Sequence, residues 1–111
     1  MVAVRHWLSR PVCAAFALGG TTLHAAPDGA ALFEQYCIPC HGADGRARTP
    51  AARKLGVKDL TESRLPDVEI TRQIADGKKD PGGKERMPPF KPKLADPEIA
   101  ALVEFVKRLR K

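Results

Sequence analysis

The segment Cys37-Ile38-Pro39-Cys40-His41 places two thiols three positions apart and an imidazole directly after the second. On a helical turn, side chains at this spacing share a face, so both sulfurs and the ring can address one flat ligand. C-x-x-C-H is the spacing at which two cysteines add across the vinyl groups of a haem while the histidine ligates its iron. The same two-residue gap also suits zinc, a structural disulfide or a redox-active dithiol. A zinc site lacks ligands once residues 1–26 are set aside, because Cys37 and Cys40 are then the only cysteines and His41 the only histidine. A thioredoxin-like site needs a strand and helix frame, and no strand pattern surrounds this motif. A disulfide stays open, but it leaves His41 without a role. Covalently attached haem c, one per chain, uses all three side chains.

Residues 1–26 read as a secretory signal, with Arg5 and Arg10 before the short apolar run Val12 to Gly20 and Leu23-His24-Ala25-Ala26 ahead of Pro27. The apolar run falls short of the roughly 20 residues that span a bilayer. The expected organisation is therefore a signal peptide at 1–26 and one domain at 27–111, located in the periplasm, with no transmembrane segment in the mature chain. Cleavage would remove Cys13, His6, His24, Met1 and Trp7, leaving Met87 as the only thioether. His41 and Met87 are the expected axial pair of a six-coordinate iron.

A mature domain of this size is marginal without a staple or cofactor, and a haem would supply the missing core. Aromatic residues make up only 5% of the chain. Alternating Val/Ile/Thr/Tyr runs are missing, while helical spacing appears three times. The expected fold is all-α, with three main helices and loops wrapped around the haem. Asp28 offers a cap for a first helix through Leu32, Phe33, Tyr36 and Cys37, on which Gly29, Phe33 and Cys37 share a face. Gly42 to Leu65 reads as loop, interrupted by Gly45, Pro50 and Gly56. Asp67 offers a cap for a second helix carrying Val68, Ile70 and Ile74 and ending near Gly77. After a loop from Lys78 to Ala95, Asp96-Pro97-Glu98 starts a third helix with Ile99, Leu102, Val103 and Val106 as its apolar stripe.

The whole chain is formally +6, and losing Arg5 and Arg10 leaves +4. Between Lys78 and Ala95 stand Lys78, Lys79, Lys84, Arg86, Lys91 and Lys93 against only Asp80 and Glu85. A solvated loop is one reading of this run. The other is a docking patch that steers an acidic redox partner toward the haem edge. Nucleic-acid binding finds no support, since no aromatic residues interleave the bases and no binding motif is present.

Together, these residues make the chain resemble a class I c-type cytochrome in its short bacterial form. The resemblance rests on Gly29 and Phe33 ahead of Cys37, on Cys37-Ile38-Pro39-Cys40-His41-Gly42, on Met87-Pro88-Pro89-Phe90, and on Leu102 with Phe105. It implies that Gly29 and Phe33 of the first helix cross Leu102 and Phe105 of the last. It also implies a proline carbonyl accepting from His41 Nδ1, for which Pro50 is the candidate. The chain departs from familiar members in having no tryptophan after Trp7, so other groups must meet the haem propionates, with Arg53, Lys54 and Lys58 as candidates.

Imidazole and thioether bind both oxidation states of iron, and the soft sulfur favours the ferrous one. Pro88 and Pro89 fix φ and bias Met87 to an extended backbone. The expected function is a monomeric, periplasmic one-electron carrier between redox proteins rather than an enzyme. The alternatives are a small haem-bearing subunit of a larger redox enzyme, or a haem enzyme or sensor in which Met87 is displaced.

Overall fold

The computed structural model describes residues 19–20 and 25–111. Most of the expected signal peptide, including Arg5, Arg10 and Cys13, lies outside the described residues. Among the described residues, five helices, one 3-10 turn and a two-stranded hairpin follow in the order α1 (Gly29–Tyr36), α2 (Ile38–His41), α3 (Pro50–Leu55), the turn Leu60–Glu62, α4 (Asp67–Asp76), β1 (Lys78–Lys79), β2 (Glu85–Met87) and α5 (Asp96–Arg108). The expected all-α fold is observed as a helix-rich one: the three main helices are α1, α4 and α5, while the short α2 and α3 and the hairpin were not anticipated. Among the described residues, no helix is long and apolar enough to cross a membrane.

Asp28 caps α1 as expected, its Oδ1 accepting from Ala30 N at 3.0 Å and Ala31 N at 3.3 Å. The helix stops at Tyr36 instead of running through Cys37. The cause is Pro39, whose ring would clash with the carbonyl four residues back if the helix continued. Cys37, at φ −112° and ψ −33°, is the hinge, closing α1 and opening α2. His41 N and Gly42 N then donate to Cys37 O and Ile38 O, both at 2.8 Å.

The stretch expected to be a loop holds α3, bracketed by Thr49 at its N-cap and by Gly56 at φ +68° after its end. The capping register of the other two helices also shifts by one. Pro66 and Ala95 are the N-caps of α4 and α5, so Asp67 and Asp96 sit at the first helical position. There their charge still favours the positive end of the helix dipole. Glu98 Oε1 reaches back to accept from Ala95 N at 2.9 Å.

Phe33, Ile70, Ile74, Phe90, Leu94, Ile99, Leu102, Val103 and Val106 form one buried cluster from α1, α4, α5 and the segment before α5. The crossing of α1 and α5 sets its tightest point. A Cβ added at Gly29 would overlap the Ala101 carbonyl oxygen and lie 3.1 Å from Phe105 Cβ. Only glycine lets the two backbones approach this closely. One turn on, the Phe33 and Phe105 rings meet at 4.7 Å between centroids. The expected contact of Gly29 and Phe33 with the Leu102/Phe105 face is thus present.

Candidate functional site

Inside this frame lies a cavity of 790 Å³ with mainly apolar walls, whose lining includes Cys37, Cys40, His41 and Met87. Phe33 of α1, Ile70, Gln73 and Ile74 of α4, Phe90, and Leu102 and Val106 of α5 complete much of its wall. The size is that of a cofactor or drug-sized ligand site.

The C-x-x-C-H turn is fixed from behind by residues that the sequence did not single out. Thr49 Oγ1 donates to Cys40 O at 2.8 Å while accepting from Ala52 N at 3.0 Å, joining the motif to the start of α3. Ala47 N donates to His41 O at 2.9 Å, which holds Ala47 at φ +57°. A threonine before a proline is a helix-start signal, but its second bond to Cys40 is not readable from spacing.

Cys37 and Cys40 are free thiols. Desolvation first, and the neighbouring Cys40 second, push the Cys37 thiol up to about 11, so it is protonated at neutral pH. Burial lowers the His41 pKa, favouring the neutral ring with a lone pair to give. The His41 Nδ1 atom is buried and has no hydrogen-bond partner. The expected acceptor, the Pro50 carbonyl, is therefore not in place. Pro50 instead opens α3 behind Thr49. Among the described residues, no group of three or more His, Cys, Asp or Glu side chains could hold a metal ion. Two free thiols, an unpartnered imidazole and a thioether on one apolar cavity fit a covalently tethered haem.

Met87 ends β2 and is held from both directions. Upstream, Lys78 of β1 faces it across the hairpin. Downstream, Phe90 N donates to Ile74 O at 3.0 Å and Lys91 N to Ala75 O at 3.1 Å, tying the chain to the end of α4. Gly77, at φ +72°, lies directly against the segment. A Cβ there would overlap Met87 O and come within 2.8 Å of Pro88 C and Pro89 N. Sequence reading took Gly77 only as a helix end and missed this packing role.

The charged candidates separate. Lys58 lines the cavity, whereas Arg53 and Lys54 do not. Of the basic run after α4, Lys78, Lys79, Lys84, Lys91 and Lys93 are exposed. Arg86 is half-buried and paired with Asp80 at 3.0 Å.

This arrangement, a C-x-x-C-H turn and a proline-flanked methionine on one cavity under crossed terminal helices, is that of a c-type cytochrome. The family model for cytochrome c oxidase, cbb3-type, subunit III matches residues 24–106. The chain is 32% identical over 101 residues to cytochrome c-553 of Nitratidesulfovibrio vulgaris, covering 88% of this chain and 91% of that protein. It is 41% identical over 86 residues to the chloroplastic cytochrome c6 of Arabidopsis thaliana, covering 71% of this chain and 49% of the relative, so it spans about half of that protein's length. Among solved structures, the c-type cytochrome KustC0563 superposes with a TM-score of 0.65 at 35% identity, covering 76% of this chain and 99% of that one. The chain belongs to the small class I c-type cytochromes, and membership implies haem c as its cofactor.

Proposed function

We propose that this protein is a periplasmic one-electron carrier, exported by residues 1–26 as a cleaved signal peptide and working as a monomer between redox proteins. Cys37 and Cys40 would hold one haem c through thioether bonds, and His41 and Met87 would ligate its iron. The observation that carries the reading is that these four side chains line one apolar-walled cavity. Bound there, haem c supplies a one-electron ferric/ferrous couple.

The chain's own residues do the rest. His41 offers an uncharged imidazole at neutral pH, because burial disfavours its protonation. Met87 offers a soft sulfur that favours the reduced state. Pro88 and Pro89 stiffen the loop that presents it. The buried Phe33, Ile70 and Leu102 side chains keep water from that part of the cavity. A carrier closed by Met87 needs no substrate position at the iron, which distinguishes it from an enzyme or gas sensor. The exposed Lys78, Lys79, Lys84, Lys91 and Lys93 flank Met87 in sequence and would steer an acidic partner toward it. Arg86, the remaining base of the expected patch, is committed to Asp80 and contributes less to long-range steering.

The relatives named cytochrome c-553 and cytochrome c6 support the carrier reading. The matched family's description, an oxidase subunit, favours a second reading, a small subunit docked on a larger redox complex. Recovery of the native protein in a large particle after gentle extraction would support that second reading over a free monomer.

The test is a mass and an optical spectrum of the protein matured in a periplasm that attaches haem. The expected result is loss of residues 1–26, gain of one haem, and a low-spin spectrum indifferent to carbon monoxide. Met87→Ala should retain covalent haem but bind carbon monoxide readily. Unchanged carbon monoxide behaviour in that variant would refute Met87 as ligand.

A further inference from the structure

Successive strand residues point to opposite faces, so Arg86 and Met87 should not both reach one cavity. Both line it. The pairing of the hairpin explains how. Lys78 faces Met87 and Lys79 faces Glu85, with a register shift between Lys78 and Lys79, so Arg86 is an extra residue with no partner across the hairpin. A bulge of this kind re-aims a side chain and is common beside functional sites.

The guanidinium is also oriented. Arg86 Nε donates to Asp80 Oδ2 at 3.2 Å, and Nη2 lies 3.0 Å from the same oxygen. Asp80 is itself held, its Oδ1 accepting from Lys84 N at 2.9 Å. With both bonds to Asp80 on one edge of the fork, Arg86 Nη1 has no protein partner among the described residues. Asp80 meets one edge of the guanidinium, whose side chain is 34% exposed, and the remaining donors suit a second carboxylate in the planar, charge-assisted geometry that arginine favours. Five bases against three acids line the cavity, an excess of two positive charges. A haem carries two propionate carboxylates.

We propose that Arg86, aimed by the bulge and oriented by Asp80, is the counter-charge for a carboxylate side arm of the haem. This rests on the haem reading above. It replaces Arg53 and Lys54, which do not line the cavity, and gives Asp80 the part of a positioning residue.

The test uses the matured holoprotein and the variants Arg86→Gln, Arg86→Lys and Asp80→Asn, with two readouts: the midpoint potential and the carboxylate bands of the redox-difference infrared spectrum. Arg86→Gln should lower the potential, because losing a positive charge favours ferric iron, and should shift a carboxylate band. Arg86→Lys should restore most of the potential but not the band position, since an ammonium lacks the planar fork. Asp80→Asn should raise the potential. If the ion pair only braces the hairpin, Arg86→Gln and Asp80→Asn will move the potential in the same direction and leave the bands in place, which overturns the proposal. Should Arg86→Gln fail to mature, the Arg86→Lys band position and the sign of the Asp80→Asn shift decide by the same criteria. A wild-type chain without covalent haem overturns the haem reading and this proposal together; haem present with all bands unmoved overturns this proposal alone.

Discussion

Gly77→Ala is the sharpest test of how the fold holds Met87, because two separate penalties fall on one atom. Gly77 sits at φ +72° and ψ −165°, a region that only glycine adopts readily, so alanine there costs about 1–3 kcal/mol in backbone strain. The added Cβ would also overlap Met87 O and approach Pro88 C and Pro89 N within 2.8 Å. Overpacking of this kind typically costs a further ~1–3 kcal/mol. Gly56→Ala is the control, since Gly56 has φ +68° and ψ 37° but nothing within 4 Å of its would-be Cβ. It should lose only about 1–2 kcal/mol. For a domain of this size each kcal/mol shifts Tm by roughly 4–8 °C, so Gly77→Ala should melt roughly 20 °C below wild type, against roughly 10 °C for Gly56→Ala. The overlap is with backbone, and its cheapest relief is displacement of the Met87–Pro89 segment. Thermal melts by circular dichroism should therefore be paired with carbon monoxide titration of the reduced protein. Gly77→Ala is expected to gain carbon monoxide binding that Gly56→Ala lacks. Equal melting temperatures and equal indifference to carbon monoxide in the two variants would refute the packing argument.

Thr49→Val removes both the cap of α3 and the bond to Cys40 O, so denaturant unfolding should show a loss of about 1–3 kcal/mol; a loss below about 0.5 kcal/mol would show that neither bond contributes. Asp59 accepts from Thr61 Oγ1 at 2.7 Å and Thr61 N at 2.8 Å; the Thr61 side-chain hydrogen bond is the largest cause holding its carboxyl below the ordinary carboxylate value, with Arg46 and Arg48 adding to it. Its folded pKa being depressed, that stabilisation is complete above about pH 4 and fades as pH falls below it, so the melting curves of wild type and Asp59→Asn should differ at neutral pH and converge in acid; a constant gap would refute the linkage. Replacing Lys78, Lys79, Lys91 and Lys93 with glutamate should slow electron exchange with an acidic partner most strongly at low salt, and equal rates at low and high salt would remove the docking role.

The candidate site was the part of this chain that spacing addressed most directly. Cys37, Cys40, His41 and Met87 were singled out by type and spacing, and all four line one cavity. The apolar stripe of α5 and the cap at Asp28 were equally plain, because a 13-residue helix and a side-chain cap leave local patterns. Pro50 and Gly56 were read as interruptions of a loop, yet they are the first-turn proline and terminal glycine of α3. At six residues, α3 is too short to show an apolar period. The hairpin was hidden for a related reason: its strands have two and three residues, mostly Lys, Glu and Arg. Their side-chain period cannot show over that length, and the bulge at Arg86 interrupts it further. Neither the contact of Gly77 with Met87–Pro89 nor the bond from Thr49 to Cys40 is local enough for spacing to show.

The methionine loop shows why such non-local contacts matter. Pro88 and Pro89 have no N–H to donate, so the two residues after Met87 cannot be held by backbone donor bonds of their own. The hydrogen-bonded anchors stand on either side, Lys78 pairing with Met87 and Phe90 and Lys91 donating to α4. Between them the chain is positioned by fixed φ at the prolines and by close contact with the bare backbone of Gly77. A side chain at position 77 would remove that contact surface, and a residue other than proline at 88 or 89 would restore φ freedom where no hydrogen bond compensates. Stiffness at the sulfur is thus built from what these three residues lack, a Cβ at Gly77 and donors at Pro88 and Pro89. A thioether fixed in this way need move little, as the proposed electron-transfer role requires of Met87.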